Sequence, residues 1–387
     1  MERNITIGYI TVDEPRDRHS WSGTNYFLLR ALEAAGYNVR TLGPLRPQPV
    51  LFFCMAFNFI TTRLLKKRFH YRDSFMLSRA YARLLKKRIT GDHIDLFLAP
   101  AGLASTALLH VEQPIIYFND RCIAGALDYH EILSGLFAFS REQSLALERK
   151  ALANAALAIY SSHWAADAAR LVYPESAGKV KVIPMGANLE VAPSAPVARD
   201  LPSKKLKLLF IGVSWRDKGG AIAYKALLEL KRRGQPAQLV VCGCTPPPEC
   251  DDEDLLREGF LNKNVDADRE RLEEHMRAAD FLIVPTRFEA YGIVFCEAAA
   301  YGIPVLATRT GGVPTIVQEG RTGYLFDISE DGEAYADRVM KIIAEPAHWQ
   351  EMRTNARKRY EEVLNWEAFV GSLFDQISEA GLIKSDR

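Results

Sequence analysis

Ala279-Asp280-Phe281-Leu282-Ile283-Val284-Pro285-Thr286-Arg287-Phe288-Glu289-Ala290-Tyr291-Gly292-Ile293-Val294-Phe295-Cys296-Glu297-Ala298-Ala299-Ala300-Tyr301-Gly302-Ile303-Pro304-Val305 is the stretch from which the fold can be read. A short apolar run ends at Pro285, a loop presents Glu289, and an Ala-rich helix begins near Gly292 and stops at Gly302-Ile303-Pro304. A strand that runs through a loop into a helix start makes an anion site. The amides of Gly292, Ile293 and Val294, at the positive end of the helix dipole, suit a phosphate. Glu289 precedes those amides and Glu297 follows Gly292 on the helix, so the two carboxylates can flank a bound diphosphate ester. A carboxylate accepts two hydrogen bonds side by side, which matches the vicinal hydroxyls of a ribose or a hexose.

The same alternation recurs outward from this stretch. Short β-branched or apolar runs at 5–10, 39–42, 96–99, 115–118, 157–160 and 180–183 are separated by helical patterns, as in β-α-β units with a mostly parallel sheet. A proline-bearing segment, 189–207, reads as a linker. A second series follows at 208–211, 239–242, 281–285, 305–307 and 324–326, with a helical pattern at 221–233. The chain therefore reads as two doubly wound α/β halves, residues 1–195 and 205–364. Trp366, Phe369, Val370, Leu373, Phe374 and Ile377 have helical spacing, and this terminal helix, within 365–387, either packs on the second half or returns to the first.

At 387 residues two domains are the expectation, and 48% apolar with 25% charged residues excludes a disordered, collagen-like or coiled-coil chain. The formal charge of +1 argues against a surface built wholly for nucleic acid. The balance is uneven, because 51–91 holds ten basic residues and one acid, Asp73, giving +9 there and −8 elsewhere. This segment reads either as a pair of basic amphipathic helices on an anionic membrane surface, or as a solvated charged face over a core stripe. The six cysteines and eight histidines show neither a disulfide framework nor a zinc spacing, so a reducing compartment and no metal are predicted. Met1 leads directly into an apolar strand, without the pattern of a secretory signal. The longest apolar stretch, 50–60, is interrupted by Asn58 and is short of the ~20 residues that span a bilayer, so no crossing is expected.

Several motifs in order carry a resemblance. Glu289 and Glu297 stand in an E-x7-E spacing, with Phe288-Glu289-Ala290-Tyr291-Gly292, Gly302-Ile303-Pro304-Val305 and Gly311-Gly312-Val313-Pro314 around them. Phe210-Ile211-Gly212 is followed by Lys218-Gly219-Gly220, and Tyr160-Ser161-Ser162-His163-Trp164-Ala165-Ala166, Val182-Ile183-Pro184-Met185-Gly186-Ala187-Asn188 and Arg321-Thr322-Gly323-Tyr324-Leu325 lie in the matching order. The set resembles the retaining glycosyltransferase family 4, densely in the second half and thinly in the first. The resemblance implies the GT-B fold: two Rossmann-like domains facing across a cleft, the first on the acceptor side and the second binding a nucleotide sugar.

By that resemblance Glu289 contacts the donor sugar, Glu297 the ribose, and the amides of Gly292, Ile293 and Val294 the diphosphate. Lys218 matches the basic residue on the diphosphate. Val213 stands where the family commonly has Arg, and Arg216 is the residue placed to replace that charge. Thr315 stands where many relatives have Glu. In the first half, Trp21-Ser22-Gly23-Thr24-Asn25 resembles the loop over the diphosphate, with Gly23 allowing close approach, and Asp120 is expected either to face the donor sugar or acceptor or to cap a helix.

The implied activity is retaining, metal-independent transfer of a hexose-type sugar from a nucleoside-diphosphate sugar to an acceptor hydroxyl, in bacterial-type glycan or glycolipid assembly. No cofactor beyond the donor is implied, the acceptor is lipid-linked, anionic or a soluble sugar, and the location is cytoplasmic or at the cytoplasmic membrane face. An epimerase acting on the donor alone and a non-catalytic sugar-nucleotide-binding protein are the alternatives. Asp252-Glu253-Asp254 spells D-x-D but reads as an acidic helix N-terminus ahead of Leu255-Leu256. No G-x-G-x-x-G follows the first strand, and His163 and His275 have no partners at ligand spacing.

Overall fold

The computed structural model describes residues 3–91, 93–129, 133–194 and 204–383. The chain divides into two compact units, Met1–Pro184 with Phe369–Arg387, and Met185–Ala368. Residues 195–203 of the linker read from the prolines lie outside the described residues.

The first unit holds a six-stranded parallel sheet in the order β2-β1-β3-β4-β5-β6. Its strands are β1 (Arg3–Tyr9), β2 (Tyr37–Thr41), β3 (Leu96–Pro100), β4 (Ile115–Asn119), β5 (Leu157–Tyr160) and β6 (Val180–Val182). Helices α1 (Thr24–Ala34), α2 (Gln48–Leu65), α3 (Phe75–Ile89), α4 (Leu103–Thr106), α5 (Ile123–Ala126), α6 (Ala138–Asn154) and α7 (His163–Val172) connect them. Every residue of β3, β4 and β5 is buried, which is why these strands are unbroken apolar runs without alternation.

The second unit repeats the plan, with order β12-β11-β10-β7-β8-β9. Its strands are β7 (Leu206–Ile211), β8 (Ala237–Cys242), β9 (Leu255–Gly259), β10 (Phe281–Val284), β11 (Val305–Thr308) and β12 (Gly323–Phe326), all parallel. The helices are α8 (Gly220–Arg232), α9 (Asp266–Ala278), α10 (Ile293–Ala300), α11 (Val313–Ile316), α12 (Gly332–Ile343) and α13 (Pro346–Glu362). Two Rossmann-like domains of six strands each make this the GT-B fold. A last helix, α14 (Trp366–Glu379), belongs to the first unit from Phe369 onward. There the ring of Phe369 lies 5.0 Å from Phe118 and Phe374 stacks on Tyr37 at 3.8 Å.

Two local readings need correction. Leu255-Leu256 opens the edge strand β9, so Asp252 and Asp254 precede a strand and not a helix. The segment read as a pair of basic helices holds only one, α3, because α2 carries the single cation Arg63 and Lys66, Lys67 and Arg68 follow its end. In α3 a core face of Leu77, Tyr81 and Leu85 is buried beneath exposed Arg79, Arg83, Lys86 and Lys87, and Ser74 caps its start by accepting from Leu77 N. In α2 only Cys54 and Thr61 are fully buried, and Leu64 and Leu65 are exposed. The stretch read as too short is an 18-residue helix, long and apolar enough by length and composition to cross a membrane.

Candidate active site

In the second sheet β7 lies between β8 and β10, so the chain leaves β7 in one direction and returns on the other side through β10. Loops after two such strands diverge and open a crevice at their carboxyl ends, where ligands of doubly wound sheets bind. The loop after β7 is a tight turn: Ser214 Oγ donates to Asp217 Oδ2 at 2.9 Å and accepts from Asp217 N at 3.2 Å. Asp217 O in turn accepts from Arg287 N at 2.7 Å, which ties this loop to the one after β10. Gly219 has φ +73°, and a Cβ there would sit 2.0 Å from Pro285 O, so only glycine lets the two strand ends approach this closely.

That approach brings Lys218 and Glu289 together. Lys218 Nζ donates to Glu289 Oε2 at 2.5 Å, with both side chains mostly buried. Gly292, with φ +102°, then turns the chain into α10, and no side chain caps that helix. A Cβ at Gly292 would lie 2.4 Å from the Phe295 ring, so this turn too requires glycine. Glu297 lies on α10 with its side chain only 2% exposed, and its Oε1 accepts from Lys263 Nζ at 2.6 Å. Lys263 was not anticipated from the sequence. It sits in the loop between β9 and α9, and without β9 nothing in the chain pointed that loop toward Glu297.

Arg216 is exposed in the loop after β7, two residues before Lys218, and Val213 is exposed in the same loop. Thr315 is buried, and its carbonyl accepts from Arg359 Nη2 at 2.6 Å. Arg359 Nε also donates to Ile316 O at 3.0 Å, so the short helix α11 after Gly311-Gly312 is held by this guanidinium.

Gly23 and Asp120 belong to the first unit, at the carboxyl ends of β1 and β4. Trp21, Ser22 and Gly23 have φ of 48°, 56° and 90°, three consecutive residues in the left-handed region. Two non-glycine residues held there carry strain of the kind that persists where surrounding structure fixes it. Trp21 Nε1 donates to Asp120 Oδ2 at 3.1 Å, and the Trp21 ring lies 5.3 Å from Phe118. Asp120 Oδ1 is buried without a hydrogen-bond partner. Asp120 does not cap a helix; α5 begins at Ile123, and its first amides are taken by Glu148, which accepts from Ile123 N at 2.8 Å and Ala124 N at 3.4 Å.

Asp252 and Asp254 are both paired with Lys231, each at 2.7 Å, and Asp254 also with Lys205. His275 Nε2 lies 3.2 Å from Glu258, which Arg271 also engages. Among the described residues no group of three or more His, Cys, Asp or Glu side chains is arranged to hold a metal.

Residues 194–359 match the family model described as glycosyl transferases group 1. This span contains Lys218, Lys263, Glu289, Gly292 and Glu297. The D-inositol 3-phosphate glycosyltransferase of Nocardiopsis dassonvillei is 33% identical over 217 residues, covering 51% of this chain and 50% of the relative. The chain spans about half the length of the first such curated relatives that it matches. Among solved structures, sucrose-phosphate synthase from Thermosynechococcus elongatus aligns with a TM-score of 0.68 at 22% identity, over 97% of this chain and 100% of the other. Anabaena HepE in complex with UDP-glucose aligns with a TM-score of 0.63 at 14% identity, over 97% and 100%. At these identities the likeness is one of fold.

Proposed function

We propose that this protein is a retaining glycosyltransferase that moves a sugar from a nucleoside-diphosphate sugar to an acceptor hydroxyl without a required metal. The observation that carries the reading is the Lys218–Glu289 contact of 2.5 Å, held at the point where the second sheet reverses its strand order, beside the uncapped start of α10. An ammonium and a row of free amides are what a leaving diphosphate needs, because both are fixed before charge develops. The match of residues 194–359 to group 1 glycosyl transferases supports it. The UDP-glucose bound by the structural neighbour HepE is in keeping with a donor of this class.

In this reaction the bond from the sugar's anomeric carbon to the diphosphate oxygen breaks, and the pair of electrons leaves with the diphosphate. Lys218, with Arg216 in the same loop, offsets that charge, and the amides of Gly292, Ile293 and Val294 donate to the phosphate oxygens. Glu289 holds hydroxyls of the departing sugar, and in the absence of donor its carboxylate is kept in place by Lys218. Glu297 accepts from the ribose hydroxyls while Lys263 neutralises it. The acceptor oxygen attacks the same face that the diphosphate leaves, and its proton passes to a phosphate oxygen of the leaving group. Asp120, with one oxygen engaged by Trp21 and the other unpartnered, receives a hydroxyl of the sugar or of the acceptor.

A calorimetric screen of UDP-, GDP- and ADP-sugars, followed by an assay for nucleoside diphosphate release with and without EDTA, tests the proposal. Release that depends on an acceptor and survives EDTA is the expected outcome. Binding without release would make the protein a sugar-nucleotide receptor, and an epimerised donor in the absence of acceptor would make it an epimerase.

A further inference from the structure

An ordinary surface helix turns its apolar residues inward and polar ones outward; α2 packs Val50, Leu51 and Cys54 on the core but leaves most of its large apolar side chains outward. Its buried residues are Cys54 and Thr61, with Asn58 half-buried between them. Its outward residues include Phe52, Phe59 and Leu64, which are 75%, 64% and 74% exposed, with Phe53 and Ile60 alongside. One polar contact leaves the helix on its docked side: Asn58 Oδ1 accepts from Phe69 N at 2.8 Å, while the bonds from Thr62 Oγ1 at 3.3 Å and Thr61 Oγ1 at 3.2 Å stay within α2. Beneath the apolar surface the buried Phe69 ring lies 5.2 Å from Phe57 and 5.8 Å from the exposed Phe139, so the two exposed rings flank one core side chain. Exposed apolar surface of this extent marks an interaction site and not a solvated face.

The charge beside it has one sign. Arg63, Lys66 and Lys67 are exposed at the carboxyl end of α2, with the Arg63 guanidinium 5.9 Å from the centre of the Phe59 ring. An open pocket of about 540 Å³ combines both characters, with Met55 and Phe59 on its wall beside Thr62, Arg63, Lys66 and Tyr71. The only acid in 51–91, Asp73, is buried and lies 3.1 Å from His70, so it does not neutralise this surface. An apolar face ending in cations is complementary to a layer of acyl chains bounded by anionic phosphates.

We propose that α2 is an interfacial anchor, lying in the boundary between headgroups and acyl chains of an anionic bilayer, with Arg63 and Lys66 around a lipid phosphate. The helix lies along the membrane and does not cross it. Its polar edge of Cys54, Asn58 and Thr61 is docked on the first unit, and 18 residues at ~1.5 Å each give a ~27 Å rod held on the protein's surface.

The test is co-sedimentation of the full chain with vesicles of phosphatidylcholine alone or with about a third phosphatidylglycerol. Binding is expected on the anionic vesicles, falling steeply between about 0.15 M and about 1 M salt as screening shortens to ~3 Å. Replacing Phe52, Phe59 and Leu64 by Ser should abolish binding, and Arg63→Gln with Lys66→Gln and Lys67→Gln should weaken it at least about tenfold. Phe59→Trp, a change that retains the apolar face, should show blue-shifted emission on anionic vesicles and quenching by brominated lipid. Equal affinity for neutral vesicles, or serine variants that bind as well as the parent, would overturn the proposal. So would a lipid-free dimer that the serine substitutions dissociate, since the face would then belong to a second copy. Resistance to alkaline carbonate extraction would overturn the flat orientation in favour of a crossing helix.

Discussion

Lys218 touches Glu289, yet under the proposed reaction the two carry different duties. Glu289→Gln should keep most of the affinity for the free nucleoside diphosphate and lose at least about tenfold in turnover, since its contact is with the reacting sugar. Calorimetry on the diphosphate alongside steady-state kinetics separates the two, and equal loss of both would put Glu289 on the nucleotide. Glu297→Ala should weaken nucleotide binding by roughly 1 to 3 kcal/mol through loss of charge-assisted bonds to ribose, and unchanged affinity would remove it from that role. Lys263→Met leaves the buried Glu297 carboxylate without its 2.6 Å partner, so it should lower stability, and Glu297→Gln in the same chain should recover part of the loss. Strictly additive effects in that double-mutant cycle would show the pair to be uncoupled. Glu289, Glu297 and Lys218 could be singled out as candidates because glycines and an apolar strand bracket them in sequence, and the structure places Lys218 against Glu289. Lys263 could not, since no motif marks it and the strand β9 that directs its loop toward Glu297 has no apolar run.

At the scale of elements, the turn into α10 depends on a backbone conformation only glycine adopts readily. Gly292→Ala would place a Cβ 2.4 Å from the Phe295 ring at φ +102°, so it should cost on the order of 1 to 3 kcal/mol in thermal unfolding and weaken diphosphate binding as the helix start shifts. A variant with parental stability and affinity would show that this geometry is not needed. All eleven strands read from apolar runs in the sequence are present, whereas the twelfth, β9, was not legible, because an edge strand carrying Arg257 and Glu258 lacks such a run. The acids ahead of it looked like a helix start, but Lys231 and Lys205 neutralise them against the strand. Helices α2 and α3 differ in composition as well as burial: α2 holds one cation, Arg63, among apolar residues, and α3 holds five. Apolar spacing gives a helix's stripe but not which side docks, and α2 docks through Val50, Leu51 and Cys54 with the bond from Phe69 N to Asn58 Oδ1 on the same side.

The molecule as a whole consists of two units of one plan, and in the first a buried carboxyl, Glu148, contributes to the pH response. Glu148 is fully buried, and burial raises its pKa to about 7, partly offset by bonds from Ile123 N, Cys122 Sγ, Tyr173 OH and Ala124 N. The folded chain therefore keeps a proton that the unfolded chain releases near the ordinary value of 4.5. The stabilisation is complete below that value and is lost as the pH rises toward about 7, a change on the order of a few kcal/mol. Glu148→Gln should flatten the pH dependence of unfolding across that window, and an unchanged slope would assign it elsewhere. The two-unit organisation was legible from the repeated alternation of apolar runs and helical patterns. Catalysis is the claim on which the remaining readings converge, and its stereochemistry can be observed directly. Proton NMR of the purified chain with its donor and acceptor follows the anomeric coupling from substrate to first product. The account predicts that the product keeps the donor's anomeric configuration as nucleoside diphosphate appears; an inverted product, or no transfer with any donor that binds, would contradict it.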